Sequence, residues 1–392
     1  MKKILLSFLV LTLCSCSSSK VDGFYKAKEV KDVSITLDEN VKDKMTNFSL
    51  DSIEKIKKDG NLVFSPISHF MSSASMYSIS SSTDFGTYLK LFGVNSQEEL
   101  IDLINNVYLN LYETKKDQTI KLSNALLFSG NPKEEILEVL NEDLYYTVID
   151  YQNEKIQKSV NEWINSSTNG LKTEFSLENY KLDSNEELIF LNALYLDLSF
   201  YLKFSVDSNQ EKTFYNNNIT PVTKTFMNNE NYATYYSNQE DYQSFALKLL
   251  NGQVHFMLPK ESKTIADILE NYQLEEIFNL HCAPERLIKG NVSLPKFEIE
   301  TKLDLKDLYQ KQNLNFVNYQ CKLTNNVYEN LSLSQENVVT LNEDGFKATS
   351  LNINYQYPTQ EEEFDICLNR PFSFLIEDNN GLIVYYGELH TL

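Results

Sequence analysis

The sequence predicts an α+β fold in one large domain. Amphipathic helical patterns dominate the first half of the chain, and antiparallel strand patterns dominate the second half. No repeat and no segment rich in proline and glycine separates the two halves. We therefore expect one mixed domain, although a length of 392 residues alone suggests roughly two or three domains.

The predicted helices follow from apolar residues that recur every three or four positions. Val41 and Met45 open the first such pattern, which Gly60 ends. Ser96 and Glu99 form a capping box ahead of the second amphipathic helix. The apolar face of a third helix consists of Val160, Trp163 and Ile164.

The predicted strands show a period of two and meet at turns. Alternating apolar residues flank Asn251-Gly252, a dipeptide that strongly favours a tight hairpin. A second hairpin is predicted where two apolar strands flank residues 378–381, which read Asp-Asn-Asn-Gly. The second half of the chain is therefore expected to form antiparallel sheets.

The N-terminus has the pattern of a secretory signal. Lys2 and Lys3 precede an apolar stretch over residues 4–13, which is too short to span a bilayer. The following Leu-Cys-Ser-Cys resembles a bacterial lipobox, and Cys16 is favoured over Cys14 as the lipidated residue because Leu13 is a poor residue at the cut. An ordinary secretory signal with incidental cysteines is the alternative. Either reading predicts a protein that leaves the cytoplasm.

Three segments result from this interpretation. Residues 1–16 are predicted to be a lipoprotein-type signal peptide, and residues 17–40 a polar tether without clear periodicity. Residues 41–392 are predicted to form the folded domain. The expected location is extracytoplasmic, with a lipid anchor at the cell surface or in the periplasm.

Charge and glycine content exclude several classes of function. The chain carries 35 Lys and Arg against 55 Asp and Glu, a net charge of −20, which argues against nucleic-acid binding. The closest of the 11 glycines are Gly381 and Gly387. This spacing excludes dinucleotide-binding, P-loop and serine-hydrolase elbow motifs.

The residues that usually carry catalysis or bind metals are sparse and scattered. The four histidines have no carboxylate or nucleophile at a telling spacing: His69, His255, His281 and His390. Three consecutive acids, residues 361–363, are better explained as a solvated loop than as a metal site. The cysteines beyond the signal are expected to pack as small apolar groups: Cys282, Cys321 and Cys367. We predict no catalytic residue, no metal and no cofactor.

Six short motifs, in order, resemble those of the serpin superfamily. They are NLVFSPIS from Asn61, VNEWI from Val160, NALYL from Asn192, LPKF from Leu294 with LDL from Leu303, NEDG from Asn342, and RPFSF from Arg370 with Gly387. Each motif alone is weak, but together they cover residues 41–392. The chain is therefore identified as a member of this superfamily.

The resemblance implies a fold and a mechanism. Expected are a mostly helical N-terminal half, a large central mixed β-sheet, further antiparallel sheets and an exposed reactive loop. In this family a protease cleaves the loop, the loop inserts into the main sheet as a new strand, and the acyl-enzyme is carried across the inhibitor. The implied partner is a serine-type or cysteine-type protease, and we expect a monomer.

The family layout places the scissile bond about sixteen residues after Glu343, near Thr359-Gln360. Tyr357 suits a chymotrypsin-like pocket, but Pro358 after it resists cleavage. Thr359 is therefore the first candidate, suited to an elastase-like pocket, and Tyr355 is the second. The neighbouring acidic run favours a protease with a basic rim.

The hinge resembles the family pattern only in part. Its residues are Glu343, Asp344, Gly345, Phe346, Lys347, Ala348, Thr349 and Ser350. Small residues are usual after the glycine, and overpacking by Phe346 costs about 1 to 3 kcal/mol on insertion. If Phe346 faces inward, so does every second residue after it, which leaves Leu351 and Ile353 outside unless a bulge follows Gly345.

Two further departures concern the opening of the sheet. Gln335 stands where the family has a histidine, and it can donate a hydrogen bond to Asn192, Ser65 or Ser68. Phe200 replaces a family tryptophan. The sequence thus predicts an inhibitor that acts by loop insertion, and the atypical hinge keeps a non-inhibitory binding module as the alternative.

Overall fold

The computed structural model describes most of the chain. The described residues are 23–30, 37–81, 86–111, 113–115, 118–152, 156–170, 187–280, 287–314, 319–324, 327–328, 330–332, 334–346 and 360–392. Among them the helices are α1 Glu39–Lys55, α2 Pro66–Ser78, α3 Gly86–Leu91, α4 Gln97–Leu111, α5 Glu134–Glu138, α6 Ile156–Ser167, α7 Ile265–Asn271, α8 Leu274–Phe278 and α9 Lys306–Lys311.

Among the described residues, strands are more numerous in the second half of the chain than in the first. The first ten are β1 Phe24–Tyr25, β2 Leu62–Phe64, β3 Glu113–Lys115, β4 Gln118–Phe128, β5 Tyr146–Asp150, β6 Glu187–Ser199, β7 Gln210–Asn216, β8 Thr220–Thr234, β9 Tyr236–Asn238 and β10 Tyr242–Leu249. The others are β11 Gly252–Pro259, β12 Ile288–Pro295, β13 Phe297–Asp304, β14 Tyr319–Gln320, β15 Val327–Tyr328, β16 Asn330–Ser332, β17 Ser334–Asn342, β18 Gly345–Phe346, β19 Gln360–Cys367, β20 Phe372–Glu377 and β21 Ile383–Leu389.

Sheet A is the largest sheet of the described structure. Its order is β1-β5-β4-β6-β18-β17-β13, with β3 beside β4 and β16 beside β6. The sheet is mixed, because β4 pairs with β5 in parallel and with β6 in the antiparallel sense. This arrangement agrees with the predicted large mixed sheet, and the α+β prediction is confirmed.

Two smaller sheets pack around sheet A. Sheet B has the order β2-β21-β20-β11-β10-β9, and sheet C has the order β19-β12-β8-β7. Both predicted hairpins are present in sheet B, as the pairs β10–β11 and β20–β21. Gly252 closes the first hairpin at a φ of 140°, a conformation that side chains rarely adopt.

Helix α2 lies in the middle of the core. Ser65 caps its N-terminus by accepting a hydrogen bond from the Ser68 N–H, and Pro66 occupies the first turn, where its missing N–H costs nothing. Twelve of its thirteen residues are buried. On the outer face of sheet A, Trp163 and Ile164 of α6 pack against a separate apolar cluster that includes Leu191 of β6.

The predicted helices have bounds close to those expected. Helix α1 ends at Lys55, ahead of Gly60. The capping box at α4 is only half formed. The Ser96 hydroxyl accepts a hydrogen bond from the Glu99 N–H. The Glu99 carboxylate, however, accepts from the Asn95 N–H and pairs with Lys44.

Part of the segment predicted as a tether lies against the body of the protein. Phe24 and Tyr25 form an edge strand of sheet A, paired with Ile149 and Val148 of β5. Residues 1–22 and 31–36 lie outside the described residues, and helix α1 begins at Glu39, with Asp38 as its cap. The short apolar pair Phe24-Tyr25 was not recognised as a strand, because it has no alternating pattern long enough to detect.

Candidate functional site

The acidic residues of the hinge are held by side chains from three neighbouring segments. The Glu343 carboxylate accepts hydrogen bonds from Lys296 Nζ and Asn209 Nδ2, both at 2.5 Å. Asp344 pairs with Lys203 Nζ at 2.7 Å. Burial alone would raise the pKa of Glu343, but the bonds from Asn209 and Lys296 outweigh it and keep that pKa below its ordinary value.

The main chain of the same two residues is also fixed. The Phe204 N–H donates to the Glu343 carbonyl at 3.1 Å, and the Phe200 N–H donates to the Asp344 carbonyl at 2.8 Å. The hinge is thus joined to the chain that follows β6 by both side chains and backbone. Gly345 and Phe346 therefore start from a defined position at one end of sheet A.

Gly345 and Phe346 form β18, which lies between β6 and β17. Gly345 pairs with Ser199 and Asn342, and Phe346 pairs with Leu198 and Leu341. Gly345 has a φ of 135°, and a Cβ there would lie 2.3 Å from the Leu198 carbonyl oxygen. Only glycine fits this position. The start of the hinge already occupies a strand position in sheet A.

The Phe346 side chain points into the main core. It is 2% exposed, and its ring lies 6.4 Å from Phe200 and 6.1 Å from Phe374, measured between centroids. Phe200, at the position of the family tryptophan, is itself fully buried and packs on Phe204 at 5.2 Å. Three aromatic side chains thus fill the space beneath the hinge.

Below β18 the two neighbouring strands separate. Strand β6 pairs with β18 at residues 198–199 and with β16 at residues 187–189. Among the described residues, no ladder joins residues 190–197 of β6 to residues 334–340 of β17. Over about eight residues below β18 these two strands are therefore not joined by a ladder in the described part of the chain, and we call this stretch of sheet A the opening.

The two faces of this opening differ in chemistry. Leu198 and Leu196 of β6 face the main core, as does Leu341 of β17. Ile189 and Leu191 face the opposite side, in the cluster beneath α6. A strand placed in the opening would thus meet apolar surface on both faces.

Polar groups line the inner face at the middle of the opening. Ser65 N–H donates to Gln335 Oε1 at 2.7 Å, and Gln335 Nε2 donates to the Ser65 carbonyl at 3.0 Å. Asn337 Nδ2 donates to the Val63 carbonyl and to Gln335 Oε1, both at 2.9 Å. Ser68 joins the group through its N–H, which donates to Ser65 Oγ at 3.2 Å.

Asn192 lies in a second polar group, on the β6 side of the opening. Its Oδ1 accepts a hydrogen bond from Ser72 Oγ, and its Nδ2 donates to Asn124 Oδ1 at 2.6 Å. Of the four residues expected to form one cluster, Ser65, Ser68 and Gln335 thus come together. Asn192 faces them from the neighbouring strand with partners of its own.

Several predicted site residues lie outside the described part of the chain. They are Cys16, Lys347, Ala348, Thr349, Ser350, Tyr355 and Thr359. Gln360 is the first residue of β19 and pairs with Ile288 of β12. The predicted cleavage point thus adjoins the start of a sheet C strand.

The sequence did not reveal the partners of the hinge. Lys296 lies in the LPKF motif, but nothing in its spacing connects it to Glu343. Lys203 and Asn209 lie in a polar segment without periodicity. The sequence likewise did not reveal the partners of two buried histidines. His255 Nε2 lies 2.9 Å from Glu377 Oε2, and His69 Nε2 lies 2.6 Å from Gln312 Oε1.

A family model described as "Serpin (serine protease inhibitor)" matches residues 43–391, nearly the whole described domain. The chain belongs to the serpin family. This serpin is 24% identical over 409 residues to "Probable non-inhibitory serpin-Z5" of Arabidopsis thaliana, which covers 97% of this chain and 87% of that protein.

Solved serpin structures share its fold. The native state of the thermophilic serpin tengpin matches with a TM-score of 0.76 at 20% identity, over 94% of this chain and 97% of that chain. Human thyroxine-binding globulin, solved with its ligand, matches with a TM-score of 0.74 at 16% identity, over 90% of this chain and 98% of that chain. The expected serpin fold is confirmed. The family is one of protease inhibitors, and its members include proteins that are named for other roles.

No described helix of this serpin is both long enough and apolar enough to span a bilayer.

Proposed function

We propose that this serpin inhibits a protease outside the cytoplasm by inserting its cleaved reactive loop into sheet A. The supporting observation is β18. Gly345 and Phe346 are already paired with β6 on one side and with β17 on the other, at the end of an opening that continues below them. Insertion would extend an existing strand, which avoids the unfavourable step of starting a new one.

The register of β18 defines where the following residues would lie in the inserted strand. Continued one residue at a time, it places Asn352 between Asn192 and Gln335. In this register Ser350 and Ala348 would face the same inner side, and both side chains are small. The polar groups in the middle of the opening would thus receive an amide side chain that can donate and accept hydrogen bonds.

The outer face of the inserted strand also finds suitable neighbours. The same register places Ile353 beside Leu191, in the apolar cluster beneath α6, and Leu351 one pair higher on that face. Lys347 falls opposite the carboxylate of Asp197. In this register the parity that the sequence suggested was unfavourable would bury apolar residues, because the cluster beneath α6 lies on this part of the outer face.

Phe346 does not oppose insertion in the way its size suggests. The overpacking cost of about 1 to 3 kcal/mol applies to a large side chain forced into a filled core. In this serpin Phe346 is buried before any cleavage, against Phe200 and Phe374. The packing cost of Phe346 is thus already present in the uncleaved fold. It does not add to the free-energy barrier for inserting the residues that follow.

We further propose the targets and location that the sequence indicates. Cleavage after Thr359 would suit an elastase-like protease, and cleavage after Tyr355 a chymotrypsin-like one. Gln360 already pairs with Ile288, so cleavage after Thr359 also requires the first residues of β19 to separate from β12. Lipid attachment at Cys16 would hold the inhibitor at the cell surface or in the periplasm.

Two measurements test inhibition. The serpin is incubated with pancreatic elastase and with chymotrypsin, and complexes that survive SDS are sought by electrophoresis. The loop is also cleaved by a permissive protease, and the melting temperature is compared before and after. An SDS-stable complex and a large rise in melting temperature are expected. Cleavage without any rise would overturn the proposal.

A non-inhibitory binding protein is the second candidate, and Phe346 is the observation that favours it. A hinge fixed by an aromatic side chain and by the ion pairs of Glu343 and Asp344 could serve as a permanent plug in sheet A. In that case loop cleavage leaves the melting temperature unchanged, and neither protease forms a stable complex.

A further inference from the structure

The N-terminal segment 23–30 is fixed to the edge of sheet A. Beyond the strand pairs of β1, the Asp150 N–H donates to the Gly23 carbonyl at 2.8 Å. The Lys28 N–H donates to the Asn141 carbonyl at 2.9 Å, and the Ala27 N–H donates to Thr147 Oγ1 at 3.3 Å. Backbone hydrogen bonds thus continue along the segment beyond the two residues of the strand.

Apolar contacts strengthen this attachment. Phe24 packs against the cluster beneath α6, while Tyr25 and Val30 pack against the main core. The segment therefore contacts both faces of the sheet edge. It marks the point at which the chain joins the folded body.

This point lies at the end of sheet A remote from the hinge. The Gly23 carbonyl accepts a hydrogen bond from the Asp150 N–H at the end of β5. The ladders that β4 forms with β5 and β6 place this end of β5 at the height of Ile189 of β6. Phe346 pairs with Leu198, nine residues farther along β6, a distance of about 30 Å at ~3.3 Å per residue. We name the end with Gly23 the anchor pole and the end with Phe346 the hinge pole.

The chain between the predicted lipidation site and the anchor pole is short. Gly23 lies seven positions after Cys16, and even a fully extended chain spans at most about 3.6 Å per position, or roughly 25 Å. If the fold began at helix α1 instead, the 23 residues from Cys16 to Glu39 would allow roughly 80 Å. Attachment of β1 thus shortens the maximum length of chain between Cys16 and the folded domain about threefold.

We propose that the anchor pole of this serpin faces the lipid bilayer and that the hinge pole faces away from it. The inference rests on lipid attachment at Cys16, which is part of the proposed function. The bilayer is the partner because the acylated Cys16 must lie within about 25 Å of Gly23. The reactive loop would then be presented on the side of the molecule open to soluble proteases.

The test uses the lipidated protein in phosphatidylcholine vesicles whose outer leaflet carries acceptor dyes. A donor dye is attached through an azido amino acid at Lys26, near the anchor pole, or at Val206, near the hinge pole. Val206 is 67% exposed and follows Phe204, which binds the Glu343 carbonyl. Energy transfer from position 26 is expected to be at least about twofold higher, since the poles lie ~30 Å apart. Equal or reversed transfer would overturn the proposal.

A variant separates the role of β1 from that of the anchor. Tyr25→Pro combined with Phe24→Asp removes a ladder donor and the apolar contact beneath α6. Transfer from position 26 is expected to fall towards that from position 206, with vesicle binding intact. Unchanged transfer would contradict the role of β1.

The anchor itself is checked by mass spectrometry of the N-terminal peptide and by flotation with the vesicles. Lipid absent from Cys16 would refute the anchor and, with it, the membrane-facing pole. Lipid present with equal transfer from both positions would refute the orientation alone. Failure of protease inhibition affects neither result.

Discussion

Phe346 of the hinge packs against Phe200 of the segment that follows β6, with ring centroids 6.4 Å apart and planes inclined by 57°. Phe200 is smaller than the tryptophan that the family has at this position, and Phe346 is larger than the usual small hinge residue. The two departures lie in direct contact. We therefore expect the smaller side chain at position 200 to make room for the larger one at position 346.

This contact predicts an energetic coupling between the two positions. Phe346→Thr alone should lower the free energy of unfolding by about 3 kcal/mol through the cavity it leaves. Phe200→Trp alone should cost about 1 to 3 kcal/mol through overpacking. The double variant should cost clearly less than the sum, by at least about 1 kcal/mol in a urea-unfolding cycle. Strict additivity would show that the two side chains do not share this space.

The position of Gly345 predicts that a methyl group will expel the hinge. In Gly345→Ala the new Cβ would lie 2.3 Å from the Leu198 carbonyl oxygen and 2.7 Å from the Phe200 nitrogen. Strand β18 should then leave the sheet, and limited proteolysis after residue 343 should become several-fold faster. Gly60→Ala is the control, because it also has a positive φ but no atom within 4 Å of the added Cβ. Equal proteolysis of the two variants would contradict this account.

The reciprocal bonds of Gln335 predict a large cost for their removal. Gln335→Leu leaves the buried N–H and carbonyl of Ser65 without their side-chain partner, which should cost about 2 to 3 kcal/mol of unfolding free energy. The neighbouring Glu336→Gln is a matched control, since its ion pair with Lys302 is partly exposed and such pairs contribute little to stability. Its cost should stay below about 1 kcal/mol in the same denaturation experiment.

Buried His69 predicts a loss of stability in acid. Burial lowers the pKa of His69 to about 4, although hydrogen bonding to Gln312 and the charge of Asp51 oppose this. The unfolded state, with a pKa near 6.5, therefore binds the proton first, and stability falls as the pH drops from 6.5 to 4. The loss from this group should approach about 3 kcal/mol at pH 4.

The matching variant is His69→Gln, which keeps a donor for Gln312 and does not titrate. Unfolding free energies of both proteins are measured at intervals across this pH range. The free energy of unfolding of the variant should fall less steeply as the pH drops, with a slope that differs by about 1 kcal/mol per pH unit at most. Burial raises the pKa of Asp378 to about 6. This carboxyl therefore contributes stability at low pH that is lost as the pH rises from about 4 to 6, which is opposite to the effect of His69. Identical slopes for the two proteins would refute the assignment to His69.

The register of β18 predicts which loop positions tolerate a bulky charge. Ser350→Arg would place a cation on the inner face of an inserted strand and should abolish the rise in melting temperature after loop cleavage. Thr349→Arg, one residue earlier, points to the outer face and should retain most of that rise. The reverse pattern would indicate a bulge after Phe346. Equal, full rises in both variants would show that the strand does not insert in this register.

The hinge and its surroundings were predictable to different degrees. Short motifs identified the loop boundaries and Gly345, because the family pattern retains them in sequence. The inward direction of Phe346 and the separate partners of Asn192 depend on which strands become neighbours. Strand β1 escaped prediction for a related reason: Phe24 and Tyr25 are too few to show a period, and their pairing with β5 joins residues more than a hundred positions apart.

If Cys16 is lipidated and the loop inserts, as proposed, strand β1 would also limit the space left for a captured protease. If the inserted loop continues in the register of β18 past the opening and displaces β16 from residues 187–189 of β6, Thr359 would arrive two residues beyond the level of Glu187, at the end of sheet A where Gly23 joins the fold. A small protease is roughly 40 Å across, more than the ~25 Å that seven residues can span. The trapped protease and the membrane would compete for the same space. Detachment of β1 from the sheet would lengthen the free N-terminal segment and make room for the protease.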